Sequence, residues 1–473
     1  MVEDKDIAVK DAAVARAPDA VRDEDGGLRK EFVERVAQAV AAGDAATLRA
    51  LVGDLHEADL GALIEALAPE LRARLIELMG REFDFTALTE VDDTVREEIL
   101  DELPAQTVAA GVRELDSDDA VAILEDLPKD EQAEILEQLP TSERAALARS
   151  LNYPENSAGR LMQDEFIAVE PDWTVGRTID YMRETPDLPD RFWEIYVVDK
   201  DRKLKGAVAL DRLLRTKRPV LVADLFEDDL RAVRATDDQE EVARMFERYD
   251  LVSAPVVDDR GRLVGVITFD DIVDVIEEEA EEDIKALGGV RGEEELSDSV
   301  WTIAKGRFPW LFANLLTALL SSWVISMFEA ALAKMVALAV LMPIVASMGG
   351  NAGTQTMTVA VRALATRELS NANAWRIIRR ELMVGVLNGI AFALIMGAVA
   401  AAWFNVTDLG LVMALAMFTV LAAAALGGIL IPLLLTRLGV DPAVSSGPFV
   451  TTITDVVGFL AFLGIASLWF GLK

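Results

Sequence analysis

The 473-residue sequence contains no cysteine and a single histidine. Disulfides, thiolate metal sites and thiol catalysis are thereby excluded. His56 alone cannot assemble a His-rich zinc centre and reads as a surface helix residue. Catalytic signatures are missing too. The chain has no G-x-x-x-x-G-K-[ST] loop, no H-E-x-x-H and no G-x-S-x-G, so ATPase and hydrolase machinery is not expected. Basic residues are scarce, 46 Lys and Arg against 81 Asp and Glu. Runs of membrane-spanning length are missing from the first 307 residues and crowd the rest.

The charge divides at the same point. Residues 1–307 carry a net charge of −37 and residues 308–473 a net of +2. The acidic part repels nucleic acid and anions and attracts cations, divalent ones most strongly. Residues 1–30 carry no secretory leader and read as a disordered acidic tail.

After Arg307 five apolar runs appear, at 308–328, 335–361, 382–404, 409–435 and 447–472. Each reaches the roughly 20 residues needed to cross a hydrocarbon core. The connection between the second and third holds Arg362, Arg367, Arg376, Arg379 and Arg380, while the neighbouring loops hold one basic residue or none. The positive-inside tendency places this connection and residues 1–307 in the cytoplasm, with the C-terminus outside. Trp310, Trp323, Trp403 and Trp469 fall near span ends, as interfacial aromatics do.

Polar residues inside spans indicate a pathway. The fifth span contains Thr451, Thr452, Thr454 and Asp455. A carboxylate there costs roughly 2.5–3.5 kcal/mol on insertion scales, so it normally faces a bundle interior or water. Hydroxyl and carboxylate oxygens suit a hard cation such as Mg²⁺. One carboxylate per chain is too little for a cage, so a homodimer bringing two Asp455 together is expected. The second span holds Pro343 and then Gly349-Gly350-Asn351-Ala352-Gly353-Thr354-Gln355. This pattern predicts either a weakened helix with freed carbonyls or close helix packing through small residues. Asp441-Pro442 and Ser445-Ser446-Gly447-Pro448 predict a broken entry to the fifth span.

The segments 349–355 (GGNAGTQ) and 441–459 (DPAVSSGPFVTTITDVVGF) resemble the MgtE family of magnesium channels and transporters. The resemblance implies a dimer of five-helix protomers in a bacterial cell membrane. Its pore, lined by the second and fifth helices, would coordinate Mg²⁺ at Asp455, with Gly447, Thr451 and Asn351 on the wall.

The acidic half agrees. Leu103-Pro104, Leu127-Pro128 and Leu139-Pro140 each close an amphipathic segment, predicting a stack of short helices. Val197-Val198-Asp199 through Gly206 recurs 59 residues later as Val256-Val257-Asp258 through Gly265, and each copy reads as strand, turn, strand, helix. This resembles a tandem CBS pair. The Thr-x-x-Asp step by which many such pairs bind adenosine nucleotides is present as Thr268–Asp271 in the second copy. The first copy has Ala209–Arg212 instead, which leaves ATP binding open.

The expected organisation is multidomain. It comprises the tail 1–30, an all-α helical-repeat domain 31–160, α/β CBS copies 161–221 and 222–276, a plug or connecting helix 277–307, and an α-helical membrane domain 308–473. Six carboxylates between Glu277 and Asp283 are expected at the start of the plug helix. The family resemblance implies regulatory Mg²⁺ shared by Glu279, Glu282 and Asp283 with Asp238, Glu240, Asp250, Asp271 and Asp274, and by Asp118 or Asp119 in the helical domain. Ala122 stands where relatives often carry a further acid. Channel conduction and coupled transport both fit, as does some passage of Mn²⁺ or Co²⁺ through all-oxygen sites. A membrane receptor using the CBS pair as a sensor is the competing class.

Overall fold

The computed structural model describes residues 21–23, 26–186, 188, 189, 191–226, 230–292, 294–369 and 372–472. Of the tail expected at residues 1–30, residues 1–20, 24 and 25 lie outside them. The described residues around Arg22 and Leu28 are tied to the helices that follow. Arg22 bridges to Leu28 in antiparallel fashion, its guanidinium donates to Asp59 at 2.6 Å, and Val21 is buried. One apolar side chain and one ion pair suffice to dock the segment.

The chain forms two compact units, residues 1–278 and 279–473. Among the described residues, the first opens with nine α-helices. They are α1 (Lys30–Ala42), α2 (Ala45–Val52), α3 (Glu57–Ala66), α4 (Pro69–Met79), α5 (Asp93–Glu102), α6 (Ala105–Val112), α7 (Ser117–Glu125), α8 (Lys129–Gln138) and α9 (Thr141–Ser150). The Leu-Pro pairs punctuate them as expected. Leu103 and Leu139 end α5 and α8 in extended geometry, and Pro104, Pro128 and Pro140 sit at the N-caps of α6, α8 and α9. Proline disfavours helical backbone in the residue before it, so each pair turns the chain. The three leucines point inward and are buried in one continuous core. The buried Arg96 is held by Asp126 at 2.6 Å and Asp93 at 2.5 Å. Leaving such a charge unpaired would be strongly destabilising.

A short helix, α10 (Ala158–Leu161), leads to the two CBS copies. The first has β1 (Ala168–Val169), α11 (Val175–Glu184), β2 (Glu194–Val198), β3 (Leu204–Ala209) and α12 (Leu210–Leu214). The second has β4 (Val233–Arg234), α13 (Gln239–Tyr249), β5 (Ser253–Val257), β6 (Leu263–Thr268) and α14 (Phe269–Leu287). In each sheet the outer strand pairs in parallel and the hairpin antiparallel. The register slips at the matching places, Val197/Val198 and Val256/Val257. The duplication in sequence is thus a duplication of register. Tyr196 of the first copy donates to Ser253 of the second at 3.3 Å, and both are buried.

Helix α14 differs from expectation. It starts directly after β6, so the carboxylates 277–283 lie in its second half and not at a helix start. Nothing between Asp274 and Glu277 can break it. It stops at Gly288-Gly289, where Gly289 takes φ +73°, and a non-helical stretch precedes the first span.

In the second unit the spans are α15 (Val300–Ser326), α17 (Val336–Ala365), α18 (Ala374–Phe404), α19 (Thr407–Arg437) and α20 (Pro442–Phe470), with the short α16 (Glu329–Lys334) after the first. All five are long and apolar enough to cross a membrane. Helix α19 is 56% buried over its most apolar stretch, against 11% for α15 and α18. It is therefore the packed centre, while α15 and α18 present apolar surface outward.

Neither of the two spans expected to break is broken. Helix α17 passes through Pro343, Gly349 and Gly350 without interruption. A β-carbon on Gly349 would stand 2.7 Å from Val420, and one on Gly353 would stand 2.8 Å from Val450. Here glycine serves close approach of α17 to α19 and α20. Helix α20 likewise runs straight through Pro448. Asp441 caps its start, accepting from the Ala443 N–H at 2.7 Å, with Pro442 in the first turn where its missing donor costs nothing.

Candidate functional site

Gly447, Thr451 and Asp455 follow one another at four-residue spacing on α20 and so share one face. Asp455 lies near the middle of this 29-residue helix and is half-buried. No described residue gives its carboxylate a hydrogen bond or an ion pair. Only one of the neighbouring hydroxyls accompanies it. Thr452 donates to the Pro448 carbonyl at 2.6 Å and Thr454 to the Thr451 carbonyl at 2.9 Å, which leaves Thr451 exposed beside Asp455. Asn351 and Gln355 are exposed on a different side of α17 from the packing glycines, and Asn351 donates weakly to Ser347 at 3.4 Å.

Trp310 belongs to this site, and the sequence reading missed that. Trp323, Trp403 and Trp469 are exposed, as interfacial residues would be, whereas Trp310 is not. A β-carbon on Gly447 would lie 3.1 Å from the Trp310 ring, and one on Gly289 would overlap it. The indole therefore packs between the turn after α14 and the top of the Gly447–Asp455 stripe. Ala286 and Leu287, at the end of α14, pack with Met357, Val361, Ile431, Leu435, Ala443 and Val450 at the ends of α17, α19 and α20. No pattern in the sequence distinguishes Trp310 from its interfacial counterparts.

The second group of candidate side chains lies within the first unit. Asp118 and Asp119 occupy the first turn of α7, near Asp270 and Asp271 at the start of α14. Burial, and then the charge of Asp271, pushes the Asp118 carboxyl well above its usual range. The same two causes raise Asp119 to about 7. Burial raises Asp271 to about 6, although the Thr268 hydroxyl (2.8 Å) and N–H (3.3 Å) both donate to it. Burial and Asp274 raise Glu90, and burial and Glu277 raise Asp274. Like charges close enough to shift one another are uncompensated here.

The remaining predicted ligands have other engagements. Asp238 caps α13, accepting from the Glu240 N–H at 3.0 Å, while Glu240 pairs with Arg244. Asp250 ends the same helix at φ +52°. Glu282 is exposed, and Glu279 and Asp283 are half-buried on α14. Among the described residues, no three acidic or histidine side chains converge closely enough to hold a metal ion.

Five spans, an unpartnered intramembrane carboxylate and an acidic CBS-bearing unit define a multi-pass cation-transport protein. Family models agree. Residues 342–465 match a divalent cation transporter domain, 55–156 an MgtE intracellular N domain, and 158–218 and 222–278 CBS domains. The chain is 30% identical over 437 residues to the magnesium transporter MgtE of Bacillus subtilis, covering 92% of this chain and 97% of that one. It is 38% identical over 323 residues to the Thermus thermophilus protein of the same name, 67% of this chain and 70% of that one. A solved cytosolic domain of the Mg²⁺ channel MgtE in complex with ATP is 32% identical, covering 51% of this chain and 99% of that one, with a TM-score of 0.48. This chain belongs to the MgtE family. No enzymatic family is indicated.

Proposed function

We propose that this protein is a homodimeric, Mg²⁺-selective channel or transporter in the bacterial cell membrane, gated by intracellular Mg²⁺. The observation that carries the permeation reading is Asp455, a carboxylate at mid-span that, among the described residues, has no protein partner and one uncommitted hydroxyl beside it. Such a group is expensive in hydrocarbon, so it faces ions or water. Two copies across a dimer axis would supply two carboxylates and two threonine hydroxyls, enough to hold a Mg²⁺ that keeps several waters. Gly447 leaves room for that hydrated ion at the mouth, and Asn351 would join the wall from α17. The Arg-rich connection between α17 and α18 argues for a cytoplasmic N-terminus and an external C-terminus.

For regulation, the donor chemistry fits Mg²⁺. Asp118, Asp119, Asp271 and Asp274 are hard oxygen ligands whose charges repel, and an ion held through its waters does not require three of them to converge. Glu279, Glu282 and Asp283 on α14, and Glu240 on α13 with Asp238 and Asp250 at its two ends, are further candidate acidic ligands. Bound Mg²⁺ would supply charge neutralisation. Without it the facing carboxylates push α7 from the start of α14. With it the compact arrangement is favoured, and α14 holds Ala286 and Leu287 against the helix ends. This is a population shift driven by differential ion affinity. Adenosine nucleotide at the CBS pair is a further proposed ligand, resting on Thr268 and Asp271 alone.

Mg²⁺ influx into proteoliposomes tests the first claim. Wild-type flux at low internal Mg²⁺, lost in a folded and dimeric Asp455→Ala variant, supports a path along α20. Equal flux in both would move the ion site to α17, and none in either would favour the receptor class.

A further inference from the structure

The connection between α17 and α18 does more than orient the chain. A cavity of about 520 Å³ opens there, between the end of α17 and the start of α18, with Ile429 of α19 among its lining residues. Arg362, Arg376 and Arg380 line it, together with Thr366 and Asn373. Arg380 is paired with Glu381 at 3.0 Å. The guanidinium groups of Arg362 and Arg376 have no hydrogen-bond or ion-pair partner among the described residues. Asn373 is held in place by donating to the Glu368 carbonyl at 2.6 Å, and the exposed Glu368 is the one acidic lining residue.

The backbone favours an anion here as well. Carbonyls at the end of α17 are already satisfied, because Thr366 N–H donates to Arg362 at 2.9 Å and Leu369 N–H to Ala363 at 2.7 Å. Helix α18 begins at Ala374 beside the cavity and contributes the positive end of its dipole. Val359, Ala360 and Ile377 complete an apolar side. Basic cavities between spans at a membrane face are suited to phosphate headgroups. Guanidinium groups bind phosphate through paired donors.

We propose that this cavity binds a phosphate group, with Arg362 and Arg376 as its principal ligands. An anionic phospholipid would place its acyl chains along Val359 and Ile377, and a soluble phosphate ester would use the same two guanidiniums without them. The assignment is independent of the permeation reading, since Asp455 takes no part in it.

Native mass spectrometry of the full-length protein in detergent, titrated with dioleoylphosphatidylglycerol, reads out binding directly. Dioleoylglycerol, with the same chains and no phosphate, should not bind at comparable concentration. Arg362→Gln/Arg376→Gln should weaken phosphatidylglycerol binding roughly tenfold or more. Arg362→Lys/Arg376→Lys should recover part of it, and Arg379→Gln, outside the cavity, should change nothing. Unchanged helicity and size-exclusion profile establish that the variants fold. Glycerol 3-phosphate provides the soluble arm. If it binds and displaces phosphatidylglycerol, the site stands and its ligand is soluble; if it does not, the ligand is lipid. Equal phosphatidylglycerol binding by wild type and the double Gln variant, or equal binding of dioleoylglycerol, would overturn the proposal.

Discussion

The carboxylates of the second, span-bearing unit and those of the first unit are opposites in their surroundings. Asp455 is alone in an apolar helix with no partner among the described residues, whereas Asp118, Asp119, Asp270 and Asp271 crowd one another within a few side-chain lengths. A lone intramembrane charge is costly because solvent is missing. A crowded cytosolic charge is costly because its neighbours share its sign. A divalent cation relieves both costs, but the consequences differ. On the proposed reading, a weakly held, hydrated ion at Asp455 could leave again, which suits passage. An ion at the Asp118–Asp271 cluster would change the spacing between two helices, which suits a switch.

The comparison is broken most severely at Asp455. Asp455→Asn keeps shape and removes charge, and is expected to lower Mg²⁺ influx by roughly a hundredfold, on the order of 3 kcal/mol of lost ion stabilisation. Stopped-flow influx into vesicles measures it. Flux within threefold of wild type would show that the lone carboxylate is not on the path.

Asp118→Asn/Asp119→Asn should act on the other side of the comparison. Basal flux at low internal Mg²⁺ is retained, while inhibition by internal Mg²⁺ requires several-fold higher concentration. Protection of the cytosolic unit from protease by Mg²⁺ weakens in parallel. If the inhibition curve does not move, the cluster is not the switch.

The pH dependence sharpens the same point. Asp119 and Asp271 titrate near 7 and 6 in the folded protein, above the usual value of 3.8. Groups raised in this way contribute stability that is complete below pH 3.8 and is lost as pH rises through 6 to 7. In EDTA the cytosolic melting transition should therefore fall between pH 5 and pH 8, by roughly 2–4 °C per kcal/mol lost. Mg²⁺ should raise it more at pH 8 than at pH 5. An equal Mg²⁺ effect at both would separate the cluster's titration from ion binding.

The smallest effect is expected among the hydroxyls. Thr451→Val should reduce flux about threefold, the scale of one hydrogen bond lost to a hydrated ion. Thr452→Val should leave flux unchanged, because its hydroxyl is committed to Pro448. Equal losses in both, measured by the same influx assay, would indicate general disturbance of α20.

What the sequence determined by itself follows from local patterns. Apolar runs set the five spans, Leu-Pro pairs set the helix ends of the first domain, and a 59-residue repeat set two sheets of the same register. Asp455 was legible because hydrocarbon makes a charge conspicuous. Packing decided the rest. Pro343 and the glycines after it read first as a break and only second as a contact, and the proximity of Val420 to Gly349 and of Val450 to Gly353 shows that these two glycines admit neighbouring helices. Trp310 read as interfacial because composition does not record which way a ring turns. The three hydroxyls near Asp455 looked equivalent until helix geometry assigned two of them to backbone carbonyls. The start of α14, the pairing of Arg22 with Asp59 and the meeting of Asp118 with Asp271 are likewise tertiary facts. Each depends on atoms distant along the chain, where dispersion, exclusion and Coulomb forces act over a few ångströms of space and leave no period in the sequence.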